Sequence, residues 1–479
     1  MEQKKDQKAL TTRSENQSEW YTEVVMRAKM ADYSPVRGSM VIMPYGYAIW
    51  EKIQEVLGKM IKDAGVKNAY FPLLIPLSFL QKEAEHIEGF APEVAIVTHA
   101  GDKELEEKLV IRPTSETIIY SKFADWIQSY RDLPLKINQW CNVVRWEKRT
   151  TPFLRTSEFL WQEGHTAHAT KQEAEEEVMQ ILNIYGDFIE EHLAMYGVKG
   201  YKTESEKFAG ADYTTTIEAL MRDGKALQSG TSHLLSQSFV KSFDVKFLDK
   251  DGKEQYVWTT SWAVSTRIIG GLIMMHGDDK GLVLPPKIAP VQAIIVPIYK
   301  SENQAEVMEF VAKVEKQLAI AGVRFETDNT DNSPGYKFAD AELRGIPVRL
   351  EVGPKDAADN SVMAVKRVDG TKSAIKVDTL VDELPALLET IQAQMLARAK
   401  QFTQDNTNSV SSYDDFKQVA ESKIGFIEAY FCGDTALEKQ IQEETKYTSR
   451  CVPLETFAKE GKCFMTGAPG KLTLFAKAY

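Results

Sequence analysis

The sequence predicts a multidomain α/β chain, and three observations carry that expectation. Its 479 residues exceed what one hydrophobic core usually organises, so about three domains are expected. Residues 139–148 and 155–168 read as strand-rich segments with polar faces, followed by one long helical pattern over 171–196. Residues 291–326 run strand, helix, strand at the spacing of a βαβ unit.

The elements follow in order. Residues 1–17 are polar and lack the apolar core of a signal peptide, so they read as a disordered tail of a cytoplasmic protein. Residues 45–64 form an amphipathic helix, with Ile49, Ile53, Leu57 and Met60/Ile61 at helical spacing and Gly65 as the stop. An apolar strand interrupted by Pro72 is expected over 69–75, and another strand-rich stretch over 108–122. The 171–196 helix carries Glu173, Glu175, Glu176 and Glu177 in its first turns, where the helix dipole favours them. Residues 243–248 and 254–259 flank Asp249-Lys250-Asp251-Gly252, a hairpin signal. Residues 262–276 pass from strand to helix and carry Arg267.

A new unit begins near Leu284-Pro285-Pro286. A buried strand at 291–298 is followed by a helix marked by Val307, Val311, Val314 and Leu318, then a strand at 323–326. A polar turn leads to a short helix ending at Gly345. Val348, Leu350 and Val352 then alternate with Arg349 and Glu351, which share the other face. A hairpin over 362–377 turns at Asp369-Gly370, and a helix over 384–402 leads to a polar linker at 403–412. The expected division is a tail at 1–17, a first domain at 18–285, a second at 286–402 and a small third at 403–479.

Composition narrows the function. A net charge of −11 argues against nonspecific coating of nucleic acid and confines any RNA contact to local basic patches. No apolar run is long enough for a membrane span. Four cysteines, Cys141, Cys432, Cys451 and Cys463, are too few for a disulfide scaffold.

The chemistry concentrates between Arg112 and His168. Arg112-Pro113-Thr114-Ser115-Glu116 is followed by Arg145-Trp146-Glu147, then Arg155-Thr156-Ser157-Glu158-Phe159, then Trp161-Gln162-Glu163-Gly164-His165. An arginine fork grips phosphate, a carboxylate two residues on shares its strand face and accepts from an amine, and an aromatic covers a base. This pattern suits an adenine nucleotide without a Gly-rich loop. R-x-E alone also reads as a charged hairpin on a sheet surface. His165 and His168 form H-x-x-H, but on a strand they point to opposite faces, so a pocket or structural role is favoured over a metal.

With Asn138-Gln139-Trp140, Gly230-Thr231-Ser232-His233, Gly353-Pro354-Lys355-Asp356 and the terminal Tyr479, these residues resemble the class II aminoacyl-tRNA synthetases. The resemblance is greatest to prolyl-tRNA synthetase of the archaeal and eukaryotic type, which some bacteria also carry, and extends from about Ser18 to the end. It implies an antiparallel-sheet catalytic domain, an α/β anticodon-binding domain and a small α+β C-terminal domain. It also implies a homodimer, built on the 45–64 helix and the following strand as motif 1.

By that resemblance, Arg145 holds the α-phosphate and the substrate carboxylate, Glu147 reads the adenine amine, Phe159 stacks on adenine and Arg267 takes the γ-phosphate. Arg155, Gln228 and Thr231 are further ATP contacts, and Mg²⁺ bridges the phosphates. Thr114 and Glu116 clamp the secondary ammonium of L-proline, Trp161 and Phe208 wall its ring, and Glu163, His165, Thr231 and His233 complete the pocket. Glu342, Arg349, Lys355 and Asp356 fall at the positions that read the anticodon of tRNA(Pro), where arginine suits the guanine O6/N7 edge. Without the resemblance they read as a solvated charged face.

Two departures stand out. Ala263 replaces the glycine usual after Ser-Trp in motif 3. The cysteine pairs that bind zinc in many relatives are reduced here to Cys432 with Leu437 and Cys463 with Thr466, so zinc is not expected unless Cys451 rescues a site. No inserted editing domain is expected, since helix and strands fill 166–261. Two rival readings are a class II enzyme for threonine or serine and a noncatalytic synthetase-like RNA-binding regulator. The first is opposed by the Thr114/Glu116 and Trp161/His165 set. The second is opposed by retention of Arg145, Glu147, Phe159 and Arg267.

Overall fold

A computed structural model describes residues 10–84, 94–235 and 237–479. Its backbone is a twelve-stranded sheet. Along the main path the strands run Thr407–Ser409, Phe426–Phe431, Pro469–Ala476, Thr448–Pro453, Gly197–Tyr201, Ala211–Leu220, Ala226–Leu235, Trp258–Ser265, Glu158–His168, Leu135–Val144 and Lys67–Asn68. The central strands pair antiparallel.

One face of this sheet is covered by the helix Lys171–Glu191. Thr170 caps it in a reciprocal box, its hydroxyl accepting from the Glu173 N–H while the Glu173 carboxylate accepts from the Thr170 N–H. Ile181, Leu182, Tyr185, Phe188 and Ile189 then meet Ile217, Leu227, Trp262 and Val264 of the strands. The helix Pro44–Asp63 adds Ile49, Trp50, Ile53, Leu57 and Ile61 to the same core. Its apolar stripe is therefore spent inside the subunit, so the expected motif 1 helix does not offer that stripe to a second copy.

The second unit is a five-stranded sheet ordered Phe325–Thr327, Ala293–Pro297, Val348–Val352, Ser361–Lys366 and Lys372–Lys376. The first three strands are parallel and the last two antiparallel additions, as the βαβ pattern and the Asp369-Gly370 turn imply. Arg367 joins it to the first unit by donating to both Asp278 oxygens, at 2.8 and 2.5 Å.

Several sequence expectations are corrected. Residues 108–122 are strand only up to Ile111, and Glu116–Trp126 is a helix whose Ile119, Tyr120 and Phe123 are buried together. The expected strand at 69–75 is replaced by two short strands, Lys67–Asn68 and Leu74–Pro76, on either side of the Pro72 region. The polar linker at 403–412 is instead the end of the helix Leu380–Asp405 and the strand Thr407–Ser409, which pairs parallel with Phe426–Phe431. The tail is anchored from Leu10 onward. The Thr11 N–H donates to Glu23 at 2.7 Å, and Arg13 donates to Asp279 and to the Gly277 carbonyl. The remainder of the expected tail, residues 1–9, lies outside the described residues.

Candidate active site

On the sheet face away from the Lys171–Glu191 helix lies a cavity of about 290 Å³. Thr114, Glu116, Arg145, Phe159, Trp161, Glu163, His165, Phe208, Gln228, Thr231, His233 and Arg267 all line it. Glu147 and Arg155 line an adjoining cavity of about 90 Å³, which shares Arg145, Phe159 and Arg267 with the first. Every catalytic, proline and ATP candidate is thus brought to one place.

Strand alternation explains the assembly. Residues 159, 161, 163 and 165 share a face of Glu158–His168, and Gly164 on the other face lies under the Trp262 ring. A Cβ at Gly164 would come within 2.0 Å of that ring, so only glycine fits. Arg267 opens the helix Arg267–His276, directly after the strand Trp258–Ser265. Its Nε donates to the Leu154 carbonyl at 3.0 Å. Arg145 Nε donates to the Pro113 carbonyl at 2.9 Å, and its guanidinium stands 5.7 Å from the Phe159 ring and 5.2 Å from the Trp161 ring. Both arginines have one nitrogen anchored to backbone, which fixes the fork without consuming it.

The acidic end is tightly wired. The Thr114 hydroxyl donates to Glu116. Glu163 accepts from the Ser115 hydroxyl at 2.5 Å and from Gln139 Nε2 at 2.6 Å, and its other oxygen meets His165 Nε2 at 3.0 Å. Burial opposes charge on both groups. For Glu163 the His165, Ser115 and Gln139 contacts overcome it and hold the carboxyl below its ordinary value. For His165 the Glu163 hydrogen bond and the Glu163 and Glu116 charges overcome it and raise the imidazole. Both shifts favour the carboxylate–imidazolium form of the pair. His233 is pushed down to about 3 by burial and by His165, so it is neutral, and its Nδ1 pairs with the Thr214 hydroxyl at 2.9 Å. Phe208 lies 4.9 Å from the His233 ring. His168 turns away to the Thr166 hydroxyl and does not join His165.

Some functional detail escaped the sequence reading. Ser115 and Gln139 hold Glu163, and Cys141 accepts from the Trp161 indole N–H at 3.2 Å. Burial, reinforced by the Glu163 charge, pushes the Cys141 thiol up to about 12, so it is an orienting group and not a nucleophile. Gln139 stood in the sequence only as part of the Asn138-Gln139-Trp140 match, without a role, and the alternation of Gln139 and Cys141 with Asn138 and Trp140 on one strand is the local signal that places both on one face. Glu147 is engaged by Arg155 Nε at 2.8 Å. Arg112 lies beside the site, not in it: fully buried, it donates to the Phe71 and Asn142 carbonyls and braces the loops.

Of the second-unit candidates, Arg349 and Glu342 meet at 3.6 Å, and Arg349 also pairs with Glu351 at 2.9 Å and lies 4.1 Å from the Phe338 ring. Lys355 and Asp356 lie apart from that pair in the sequence, on the short helix Pro354–Ala358, where Asp356 caps the Gly353 N–H. In the tail, Cys432 and Cys463 belong to one aromatic core with Phe416, Phe431, Phe464 and Phe475, and Leu437 packs there too. Burial raises the Cys463 thiol, but hydrogen bonds from the Thr466 hydroxyl and the Met465, Thr466 and Cys432 N–H groups bring it below its ordinary value. Cys451 is fully buried in a different cluster, with Leu220, Phe426 and Leu474.

An antiparallel sheet bearing two anchored arginines, with R-x-E and an aromatic at one end of the pocket, defines a class II aminoacyl-tRNA synthetase core. The description "tRNA synthetase class II core domain (G, H, P, S and T)" matches residues 97–276, "Anticodon binding domain" residues 292–387, and "Prolyl-tRNA synthetase, C-terminal" residues 413–479. The chain is 55% identical to the proline--tRNA ligase of Chloroherpeton thalassium, covering 98% of this chain and 99% of that one. It is 52% identical to that of Natranaerobius thermophilus, covering 98% of each. The prolyl-tRNA synthetase of Cryptosporidium parvum complexed with halofuginone and AMPPNP superposes with a TM-score of 0.94 at 43% identity, covering 98% of this chain and 99% of that one. The same enzyme with L-proline and AMP gives 0.92 at 42%, with the same coverage. The chain belongs to the prolyl-tRNA synthetase family.

Proposed function

We propose that this chain activates L-proline with ATP to prolyl-adenylate and transfers the prolyl group to the 3′ end of tRNA(Pro). The observation that carries this is the single cavity joining Glu116 and Thr114 at one end to Arg145, Phe159 and Arg267 at the other. In the first step the proline carboxylate attacks the α-phosphorus. The new O–P bond forms as the bond to pyrophosphate breaks, and no proton moves. Catalysis therefore rests on positioning and on charge. Arg145 would orient the carboxylate and α-phosphate, and Arg267 the γ-phosphate. Phe159 would cover adenine, with Glu147, Arg155, Gln228 and Thr231 as its companions. Glu116 and Thr114 would take the two N–H bonds of the secondary ammonium, with Trp161, Phe208, His233 and the Glu163–His165 pair shaping the ring pocket. The 3′-hydroxyl oxygen of tRNA then attacks the adenylate carbonyl carbon, the ester C–O bond forms as the C–O bond to AMP breaks, and the departing AMP phosphate takes the hydroxyl proton.

Mg²⁺, when bound to the phosphates, supplies neutralisation of the pyrophosphate charge. Among the described residues no group of three or more His, Cys, Asp or Glu could hold a metal ion, and Glu163 is already committed within the protein. Glu206 and Gln228 line the cavity and would offer oxygens, which fits an ion carried mainly by phosphate and water.

We also infer the finer points. Residues 18–285, 286–402 and 403–479 would be the catalytic, anticodon-binding and C-terminal domains, preceded by the 1–17 segment. Glu342 and Arg349, with Lys355 and Asp356 nearby in sequence, would face the anticodon. For the archaeal and eukaryotic type the one favourable observation is the likeness to the Cryptosporidium parvum enzyme, whereas the relatives named above are bacterial. A homodimer is supported by exposed Tyr33, Val36 and Val41 around one hairpin. A cytoplasmic location accords with the family's work on tRNA, and among the described residues no helix is long and apolar enough to cross a membrane.

The clamp gives the sharpest test. Glu116→Gln should raise KM for proline about 10- to 100-fold, the value of a hydrogen bond to a charged group, while KM for ATP stays within about twofold. An unchanged KM for proline would remove Glu116 from the clamp.

A further inference from the structure

A buried ionic cluster ties the C-terminal unit to the nucleotide end of the cavity. Glu218 is fully buried on the strand Ala211–Leu220. One of its oxygens accepts from Lys202 Nζ and from the Thr216 hydroxyl, each at 2.8 Å. The other accepts from Arg450 Nε at 3.0 Å and Nη2 at 2.9 Å. Arg450 arrives 232 residues later in the chain, on the strand Thr448–Pro453, and its third nitrogen donates to the Thr448 hydroxyl at 3.1 Å. Packing alone would be served as well by apolar side chains, because removing three charges from water is costly.

The cluster's position gives it a use. Glu218 pairs in register with Gln228, and Thr216 with Thr231, and both partners line the cavity. Two cations share one carboxylate there, and the Arg450 charge reaches Arg267 only weakly, behind burial, Arg145, Arg155 and Glu147. Glu206, at the cavity wall, is the other acid that Arg450 feels.

We propose that Arg450 is a positioning residue for ATP: by clamping Glu218 it fixes the strand pair that presents Gln228 and Thr231. The C-terminal unit is thereby part of the nucleotide half of the active site. This rests on the proline–ATP reading of the cavity.

The test is proline-dependent ATP–pyrophosphate exchange by the full chain, with KM for ATP and for proline measured separately and thermal unfolding alongside. Wild type, Arg450→Met and Arg450→Lys are compared. Arg450→Met should raise KM for ATP about tenfold, with KM for proline within about twofold. Arg450→Lys keeps the charge and loses the fork, so its KM for ATP should fall between. If Arg450→Met does not fold, the lysine variant decides by the same ATP-against-proline split. A KM for ATP within twofold of wild type, or both KM values rising together with a fall in melting temperature, overturns the inference. No exchange by wild type overturns the functional reading and this inference with it.

Discussion

At the residue scale, the Glu163–His165 pair is the feature whose physics is most exposed to test. The His165 pKa is raised above its ordinary value of 6.5, so its charge contributes stability fully below that pH. That contribution is lost as pH rises through the raised value. Glu163, held below its ordinary 4.5, contributes above that pH and loses its share only as pH falls through the lowered value. The stability gap between wild type and His165→Gln, measured by urea unfolding, should therefore be widest near pH 6 and narrow towards pH 9. A gap that widens over that range would contradict the upward shift of His165. The R-x-E and aromatic pattern of Arg145, Glu147 and Phe159 was visible in the sequence, Trp161 and Arg267 were singled out by the family resemblance, and the fold gathers all five around the cavity. The role of Ser115, Gln139 and Cys141 was not visible there, because it is to hold another side chain, and that is settled only when Leu135–Val144 pairs with Glu158–His168.

At the element scale, local periodicity located the Pro44–Asp63 and Lys171–Glu191 helices and the βαβ order of the second unit. It failed at Glu116–Trp126, where a β-rich run of threonine, isoleucine and tyrosine is folded as helix by burial of one side. It also missed the polar strand Thr407–Ser409, which owes its conformation to the neighbouring Phe426–Phe431 strand. In the second unit Arg349 is held in place by Glu351 and Glu342, a preorganised fork on a rigid strand. Arg349→Ala should weaken charging at limiting tRNA by about 1–3 kcal/mol while leaving proline activation without tRNA nearly intact. Unchanged charging would remove Arg349 from anticodon reading.

At the scale of the whole molecule, the C-terminal unit is not an appendage. Val452 and Pro453 pair with Tyr201 and Gly200, so its strands extend the catalytic sheet. A core of Phe416, Phe431, Phe464, Phe475 and Tyr447 holds it by packing. Protein purified without affinity-tag metals should therefore carry far less than one zinc per chain and keep its tail structure under chelation. About one zinc, lost together with that structure, would refute this. Pairing across some 250 residues leaves no trace in local sequence pattern, which is why the tail read as a separate small unit.

The central claim is that one cavity joins a proline clamp to an ATP grip, and amino-acid-dependent ATP–pyrophosphate exchange tests it most directly. Proline should drive exchange, alanine and cysteine should do so about 10- to 200-fold less well, and threonine and serine should not compete. Arg145→Ala should abolish exchange while tRNA binding persists. Exchange driven best by another amino acid, or equal loss of exchange and tRNA binding in Arg145→Ala, would contradict the account.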